Sequence, residues 1–246
     1  MIQPPSGSAA AFAINNSGQV AGTLEYSGST SQAFIATTSG SALLPFPPGL
    51  SSSWGYALNN FGQVAGDATN GGSSPTQASI SAASGSTAIP LPVGWIIALG
   101  RAINDSGQVA GTLLGSTPAQ QAFIGTASGS AAFPLPPGWF SANANAINVA
   151  GQVAGFVSNS TGSESQAFIG TSSGSTLIPL PTGWSMAEGV AINDSGQVAG
   201  WGVNGAGIDQ AFIGTARASQ RSRLPRGRAR LDRPWARAAS ATQALW

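Results

Sequence analysis

Residues 102–111 read AINDSGQVAG, and residues 191–200 repeat the same ten letters. Variants of this decapeptide begin at Ala13, Ala57 and Ala146. The glutamines of its GQVAG segment are Gln19, Gln63, Gln108, Gln152 and Gln197, so successive copies are 44, 45, 44 and 45 residues apart. A fixed period of this length is typical of proteins built from structural repeats.

Two further motifs keep the same period. A hexapeptide related to QAFIGT begins at Gln32, Gln77, Gln121, Gln166 and Gln210. A proline-containing segment follows it as LLPFPPG, AIPLPVGW, FPLPPGW and LIPLPTGW. The chain therefore divides into a repeat domain at residues 1–227, with units at 13–56, 57–101, 102–145, 146–190 and 191–227, and a tail at 228–246.

The third unit, residues 102–145, predicts four short strands. AIN leads into a polar turn, QVAGTLL is the return strand, QAFIGTA is the third strand, and AAFPLP is the fourth. Prolines cannot donate to a central ladder, so the fourth strand is expected at a sheet edge. PPGWFSANAN then crosses to the next unit. We assign turn geometry to Asn104, Asp105 and Gly107 and to their counterparts Asn193, Asp194 and Gly196.

Four short antiparallel strands in 44–45 residues match one blade of a β-propeller. The prediction is therefore an all-β propeller of four-stranded antiparallel blades, five-bladed with a degraded last blade. That last blade changes character after Thr215, and its fourth strand is expected near Arg223 to Pro225. Five blades either close a ring or belong to a longer array whose ring is open in this chain.

The motif AINDSGQVAG followed by QAFIG resembles a family of bacterial extracellular repeats named for a His-Ala-Phe motif. The resemblance covers roughly residues 10–216. It implies a propeller-like fold and a secreted or cell-surface location, and it implies no reaction. The chain departs from the family because Gln replaces the motif His in all five units, and Phe is missing from the second unit at Ser79.

Composition argues against several classes of function. The sequence has no Cys, His or Lys, and few acids recur in register, so we expect no metal site, no cofactor and no enzymatic activity. No apolar run is long enough for a membrane span, and no signal peptide is visible at the N-terminus. These observations favour a scaffold or a binding module.

Charge is distributed unevenly along the chain. Residues 1–216 contain one Arg and seven acids, for a net charge of −6, whereas residues 217–246 contain eight Arg and one Asp, for +7. Clustered Arg can bind phosphates, but no recognition motif accompanies it here. We interpret the Arg-rich tail as disordered or non-adapted, and we expect no nucleic-acid partner.

The predicted crossovers contain the strongest candidates for ligand binding. Trp95, Trp139 and Trp184 recur in a Pro-x-Gly-Trp motif, and Ser141, Asn143, Asn145 and Ser185 lie within a few residues of them. Each Trp either packs between blades, the favoured interpretation, or stacks on a sugar as in a lectin. The expected partners are accordingly neutral glycans or another surface protein.

Overall fold

The computed structural model describes residues 7–26, 30–71, 75–116 and 120–221, and in these ranges it contains twenty strands and no helix. Blade 1 consists of β1 (Ser8–Ile14), β2 (Val20–Glu25), β3 (Ser31–Thr37) and β4 (Gly40–Leu43). Blade 2 consists of β5 (Ser52–Leu58), β6 (Val64–Thr69), β7 (Gln77–Ala82) and β8 (Gly85–Ala88). Blade 3 consists of β9 (Trp95–Ile103), β10 (Val109–Gly115), β11 (Gln120–Thr126) and β12 (Gly129–Ala132).

Two further blades complete the described array. Blade 4 consists of β13 (Ser141–Ile147), β14 (Val153–Ser158), β15 (Ser165–Thr171) and β16 (Gly174–Leu177). Blade 5 consists of β17 (Trp184–Ile192), β18 (Val198–Asn204), β19 (Asp209–Gly214) and β20 (Ser219–Arg221). Every blade is an antiparallel sheet with its strands in chain order. The predicted all-β propeller architecture of four-stranded blades is confirmed.

Consecutive blades pack face to face along the chain. The first strand of each later blade covers the second and third strands of the blade before it, and first strands also contact each other from blade to blade. A single parallel bridge between Ser165 and Met186 additionally joins blades 4 and 5. The apolar core therefore lies between blades, as in other repeat arrays.

Small side chains make this close packing possible. Ala110, Ala122 and Ala144 are fully buried between blades 3 and 4, together with the larger Phe133 and Phe168. Burying one such Phe contributes about 2–3 kcal/mol relative to leaving it exposed. Because neighbouring alanines and phenylalanines interdigitate, each blade depends on the next for most of its apolar burial.

The first strands extend into the segments that the sequence predicted as crossovers. Strand β13 covers SANANAI, most of which was expected to cross between units, and only Pro136 to Trp139 forms a turn there. In that turn the Trp139 N–H donates to the Pro136 carbonyl at 3.2 Å, and Gly138 has φ +86°. The expected crossover is thus wrong for its second half, because Ala142 and Ala144 alternate as buried strand residues.

The fourth strands are shorter than predicted. Strand β12 ends at Ala132, before the prolines of AAFPLP, and it lies at the sheet edge as expected. Phe133 follows it, donating its N–H to the Ala122 carbonyl at 2.8 Å and burying its ring. Proline has no N–H to extend the ladder, so the pairing stops there.

The fifth blade retains its fourth strand as β20, three residues long. Its Ser219 hydroxyl donates to the Pro179 carbonyl of blade 4, as Ser175 of blade 4 donates to Pro134 of blade 3 at 3.0 Å. Ordered blade structure therefore continues past residue 216, where the charge of the sequence changes. The strand expected at Arg223 to Pro225, and the tail at 228–246, lie outside the described residues.

Candidate binding face

The repeated decapeptide forms a hairpin turn organised by one asparagine side chain. Asn104 is 5% exposed; its Oδ1 accepts from the N–H groups of Ser106 at 3.1 Å and Gln108 at 3.0 Å. Its Nδ2 donates to Gln108 Oε1 at 2.8 Å. Gly107 has φ +71°, which glycine adopts without steric cost. Together with a bond to Asn148 of the next blade, these contacts occupy both acceptor and both donor positions of the Asn104 side-chain amide.

That remaining bond reaches the next blade. The Nδ2 of Asn104 also donates to the Asn148 carbonyl at 3.0 Å, 44 residues later. The same contact joins Asn15 to Asn59, Asn59 to Asn104 and Asn148 to Asn193, each at 3.0 Å. Asn193 lies in the last decapeptide turn and is exposed, with Gly196 at φ +72°. The decapeptide is therefore an interblade connection as well as a turn.

Asp105 and Asp194 make a second connection between turns. Asp105 accepts from the Asn60 N–H at 2.9 Å and from Asn60 Nδ2 at 2.8 Å, which lowers the pKa of its exposed carboxyl. Asp194 Oδ1 accepts from the Val149 N–H at 3.2 Å. Both carboxylates thus bind the preceding blade.

The three crossover tryptophans lie against the cores between blades. Trp184 is 7% exposed and meets the Phe212 ring edge-on, with centroids 6.1 Å apart. Trp95 and Trp139 are half-buried and pack against the clusters that join blades 2 and 3, and blades 3 and 4. This packing leaves little ring surface free for a ligand.

Two of the polar residues predicted near the tryptophans bond neighbouring blades. Asn143 Oδ1 accepts from the Thr112 hydroxyl of blade 3 at 3.1 Å, and Asn145 Nδ2 donates to the Gly189 carbonyl of blade 5 at 2.8 Å. Ser141 is half-buried, whereas Ser185 is exposed with its hydroxyl 3.5 Å from the Val203 carbonyl. The two asparagines lie on β13 but bond opposite neighbours, Asn143 the preceding blade and Asn145 the following one, and the bulge of β13 lies at Asn145.

Two of the glutamines that replace the motif His, Gln32 and Gln166, have backbone partners. Gln32 Nε2 donates to the Leu44 carbonyl at 2.9 Å, and Gln166 Nε2 donates to the Ile178 carbonyl at 2.8 Å. Each bond joins a third strand to the buried residue that precedes the first proline. A neutral amide performs this tethering without the charge that a histidine acquires in acid.

The first strands contain a row of residues that stand outside the β-ladder, which the sequence did not predict. Every first strand has a β-bulge at the residue immediately before the first alanine of the decapeptide. The bulge residues are Phe12, Tyr56, Arg101, Asn145 and Val190. We call the surface formed by these side chains and the residues two positions earlier the first-strand face. Bulges re-aim side chains and are frequent beside functional sites.

Neighbouring bulge residues contact each other across blades. The Phe12 and Tyr56 rings meet edge-on with centroids 5.8 Å apart, and the Arg101 guanidinium lies 4.9 Å from the centre of the Tyr56 ring. Arg101 also forms an ion pair with Asp67 at 3.4 Å, and Asp67 Oδ1 accepts from the Gly100 N–H at 2.7 Å. These contacts run from blade 1 to blade 3.

Burial dominates the electrostatics of this cluster. Desolvation raises the pKa of the Asp67 carboxyl from 3.8 to about 6, although Arg101 and the Gly100 N–H oppose the shift. Burial also raises the pKa of the Tyr56 phenol to about 12, with a further contribution from the Asp67 charge. The Tyr56 phenol is therefore neutral at physiological pH, whereas the Asp67 carboxyl titrates near pH 6.

A cleft of about 340 Å³ opens on the first-strand face between blades 1 and 2. Its lining combines three aromatic side chains with two hydroxyls, one carboxylate and two alanines: Phe12, Trp54, Tyr56, Ser8, Thr23, Glu25, Ala9 and Ala10. The Ser8 hydroxyl donates to Glu25 Oε2 at 3.3 Å, and Thr23 Oγ1 accepts from the Gly55 N–H at 3.1 Å. Aromatic surface beside a few polar groups is the usual composition of a small-molecule site.

The units differ from one another at the cleft positions. Trp54 has Ala10, Leu99, Asn143 and Glu188 as its counterparts, whereas the glutamine of GQVAG is the same in all five units. Glu25 likewise has Thr69 as its counterpart in blade 2. Comparing the repeats within the chain would have singled out these residues.

The described ranges contain no group of three or more His, Cys, Asp or Glu side chains arranged to hold a metal ion. Within the same part of the chain, no helix is long and apolar enough to cross a membrane.

Comparisons with known proteins give no family. No family model matches the chain, and no curated protein matches it. A structure from a study of two prolyl endopeptidases is similar over 90% of this chain and 43% of its own, at 12% identity and a TM-score of 0.47. The BP39L lectin from Burkholderia pseudomallei is similar over 90% of this chain and 72% of its own, at 15% identity and a TM-score of 0.46. The chain thus spans less than half of the endopeptidase structure.

Proposed function

We propose that the chain is a non-catalytic binding module that holds a neutral saccharide in the first-strand cleft. The observation that carries this proposal is the cleft lining, where Phe12, Trp54 and Tyr56 stand beside the Glu25 carboxylate and the Ser8 hydroxyl. These groups lie at positions where the repeats differ, close to the decapeptide that recurs in every blade. Uniform repeats with a few variable surface positions are typical of proteins that present a binding surface.

The chemistry of the cleft matches a sugar ring. Saccharides present apolar C–H faces that pack on aromatic rings, and Trp54 and Tyr56 of β5 both line the cleft and supply such surface. Glu25 is exposed and its oxygens accept hydrogen bonds from sugar hydroxyls. Burial keeps the Tyr56 phenol neutral, with a pKa of about 12.

The crossover tryptophans are a less favourable site for the same ligand. Trp184 is buried against Phe212, and Trp95 and Trp139 pack on interblade cores. A ring that already fills a core has less surface to offer a sugar, and moving it out of the core costs stability. The packing therefore supports the first-strand cleft over a lectin site at each crossover.

A glycan array followed by isothermal titration calorimetry tests the proposal. We expect saccharide binding that weakens by about tenfold or more in Trp54→Ala, and similarly in Glu25→Gln, because about 1.4 kcal/mol of lost contact corresponds to tenfold in Kd. Glu164→Gln is the matched control, since Glu164 is an exposed carboxylate in blade 4. Circular dichroism of each variant reports whether the sheets are intact.

Three outcomes would overturn the proposal. The first is that no glycan binds. The second is that Trp54→Ala and Glu25→Gln are both folded and bind the saccharide as tightly as wild type. The third is that the protein releases new reducing ends from a bound glycan. Tetramethylammonium is a further probe, because a cation also suits aromatic rings beside a carboxylate. Tighter binding of that ion than of any sugar would replace the saccharide with a cationic ligand.

We also propose the secreted or cell-surface location implied by the resemblance to the His-Ala-Phe repeats. A saccharide-binding module is useful where glycans are displayed, so the location and the ligand class support each other. Detection of the native protein in the culture medium or on intact cells tests this, and its confinement to the cytoplasm would contradict it.

A further inference from the structure

Both ends of the blade array have apolar surface that no described blade covers. At one end, Ile14 of β1 is 70% exposed. At the other end, Ala199 of β18 is exposed and Ile213 of β19 is 50% exposed. Apolar patches of this kind on a folded protein mark interaction surfaces.

The corresponding residues inside the array are less exposed. The counterparts of Ala199 are Ala21, Ala65, Ala110 and Ala154, each 0% exposed beneath the following blade. Val20 of blade 1 is half-buried, whereas Val64, Val109, Val153 and Val198 are at most 1% exposed beneath the preceding blade. Blade 5 thus presents one half of the interblade interface, and blade 1 presents the other half.

The hydrogen bonds between turns show the same two open ends. Asn148 Nδ2 donates to the Asn193 carbonyl, but Asn193 Nδ2 has no following turn among the described residues and bonds Gln197 Oε1 at 2.9 Å. At the other end, the Asn15 carbonyl accepts from the Gly18 N–H at 3.0 Å and no described blade precedes it. The side-chain amide donor of Asn193 on blade 5 and the carbonyl acceptor of Asn15 on blade 1 therefore lie at opposite ends of the blade array.

The geometry of blade 1 is compatible with a preceding blade. Where blade 2 packs on blade 1, a Cβ on Gly55 would lie 2.9 Å from the Gly22 carbonyl oxygen, and blade 1 has Ala11 at the position of Gly55. Blade 4 also has an alanine there, Ala144, which is fully buried against blade 3. An alanine at this position is accommodated within an interblade interface.

We propose that blade 5 of one copy docks on blade 1 of a second copy, head to tail, through the same interface that joins consecutive blades. The occupant is a second copy because the two open faces are the two halves of an interface that the chain already forms between each pair of neighbouring blades. Such a heterologous contact closes a ring when the rotation allows it and otherwise extends to longer assemblies.

Light scattering after size-exclusion chromatography of the full chain, over a dilution series, tests this proposal. We expect wild type to show a mass of at least two chains that falls toward one on dilution. Ile14→Glu and Ala199→Glu place a carboxylate on one open face each, so each variant alone should stay monomeric. An equal mixture should recover a mass of two chains, because the intact blade 5 of Ile14→Glu meets the intact blade 1 of Ala199→Glu.

Val93→Glu is the matched control, since Val93 is fully exposed in the turn before β9 and lies on neither open face. It should assemble as wild type does. A wild-type chain that is monomeric at every concentration would overturn the proposal, as would assembly that both single variants leave unchanged. A mixture of the two variants that stays monomeric, with both folded by circular dichroism, would also contradict it.

Discussion

The side-chain amide of Asn59 donates a hydrogen bond to the backbone carbonyl of Asn104, 45 residues later, at 3.0 Å. This bond joins one hairpin turn to the next, and the same amide also donates to Gln63 Oε1 at 2.7 Å. A Cβ on Gly107 would lie 3.4 Å from Oε1 of Gln63, so the glycine of each turn accommodates the glutamine of the blade before it. The decapeptide is repeated because each copy must fit its neighbours as well as fold.

The two identical decapeptides provide a matched test of this connection. Asn104 and Asn193 share the local sequence AINDSGQVAG, but only Asn104 is buried and bonded to a following turn. We expect Asn104→Ala to lower the free energy of unfolding by about 2–4 kcal/mol, and Asn193→Ala by about 1 kcal/mol. Urea denaturation at a concentration where the chain is monomeric measures both. Losses that agree within about 0.5 kcal/mol would show that the interblade bond contributes nothing.

The raised pKa of Asp67 predicts a pH dependence of stability. Between its unfolded pKa of 3.8 and its folded pKa of about 6, the folded protein retains a proton that the unfolded chain releases. The contribution of the neutral Asp67 carboxyl to the free energy of unfolding is thus fully present below pH 3.8 and is lost as pH rises through about 6. The total is about 3 kcal/mol, at about 1.4 kcal/mol for each pKa unit.

Asp67→Asn removes this titration and retains an acceptor for the Gly100 N–H. We therefore expect the variant to gain stability relative to wild type as pH rises from 4 to 7, measured by thermal unfolding. Asp105→Asn is the control with opposite sign, since hydrogen bonds from Asn60 lower the pKa of Asp105. Its stability should approach that of wild type as pH falls. Parallel pH profiles for wild type and Asp67→Asn would contradict the assignment.

The end of the blade array predicts the effect of two truncations. Removing residues 228–246 deletes none of the described blade structure, so the melting temperature should change little. Removing residues 216–246 also deletes β20, its pairing with β19, and the bond from Ser219 to the Pro179 carbonyl. We expect this second truncation to lower the melting temperature by several degrees. A similar drop for both would show that the Arg-rich tail packs against the body.

Local chemistry made the hairpins predictable from the sequence. A turn such as that of Asn104 and Gly107 is set by the side-chain acceptor and the positive φ, both of which the residue types indicate. The period then gave the number of blades. By contrast, the first strands were partly taken for crossovers, because SANAN at residues 141–145 alternates small and polar residues and contains no β-branched or aromatic residue typical of a strand.

The cleft escaped sequence analysis for a related reason. Glu25 and Tyr56 belong to different units, and nothing local indicates that a bulge turns Tyr56 toward the cleft. Their meeting depends on the stacking of blades 1 and 2. The tryptophan motif attracted attention because it recurs, yet recurrence in a repeat protein is the mark of the packing that every unit shares.

Hydrogen–deuterium exchange with and without the best saccharide from the array tests the central claim most directly. Because the ligand is expected in the first-strand cleft, protection should appear in peptides covering residues 8–12, 23–25 and 54–56. Protection confined to peptides around Trp95, Trp139 and Trp184 would instead place the site at the crossovers and would contradict the account.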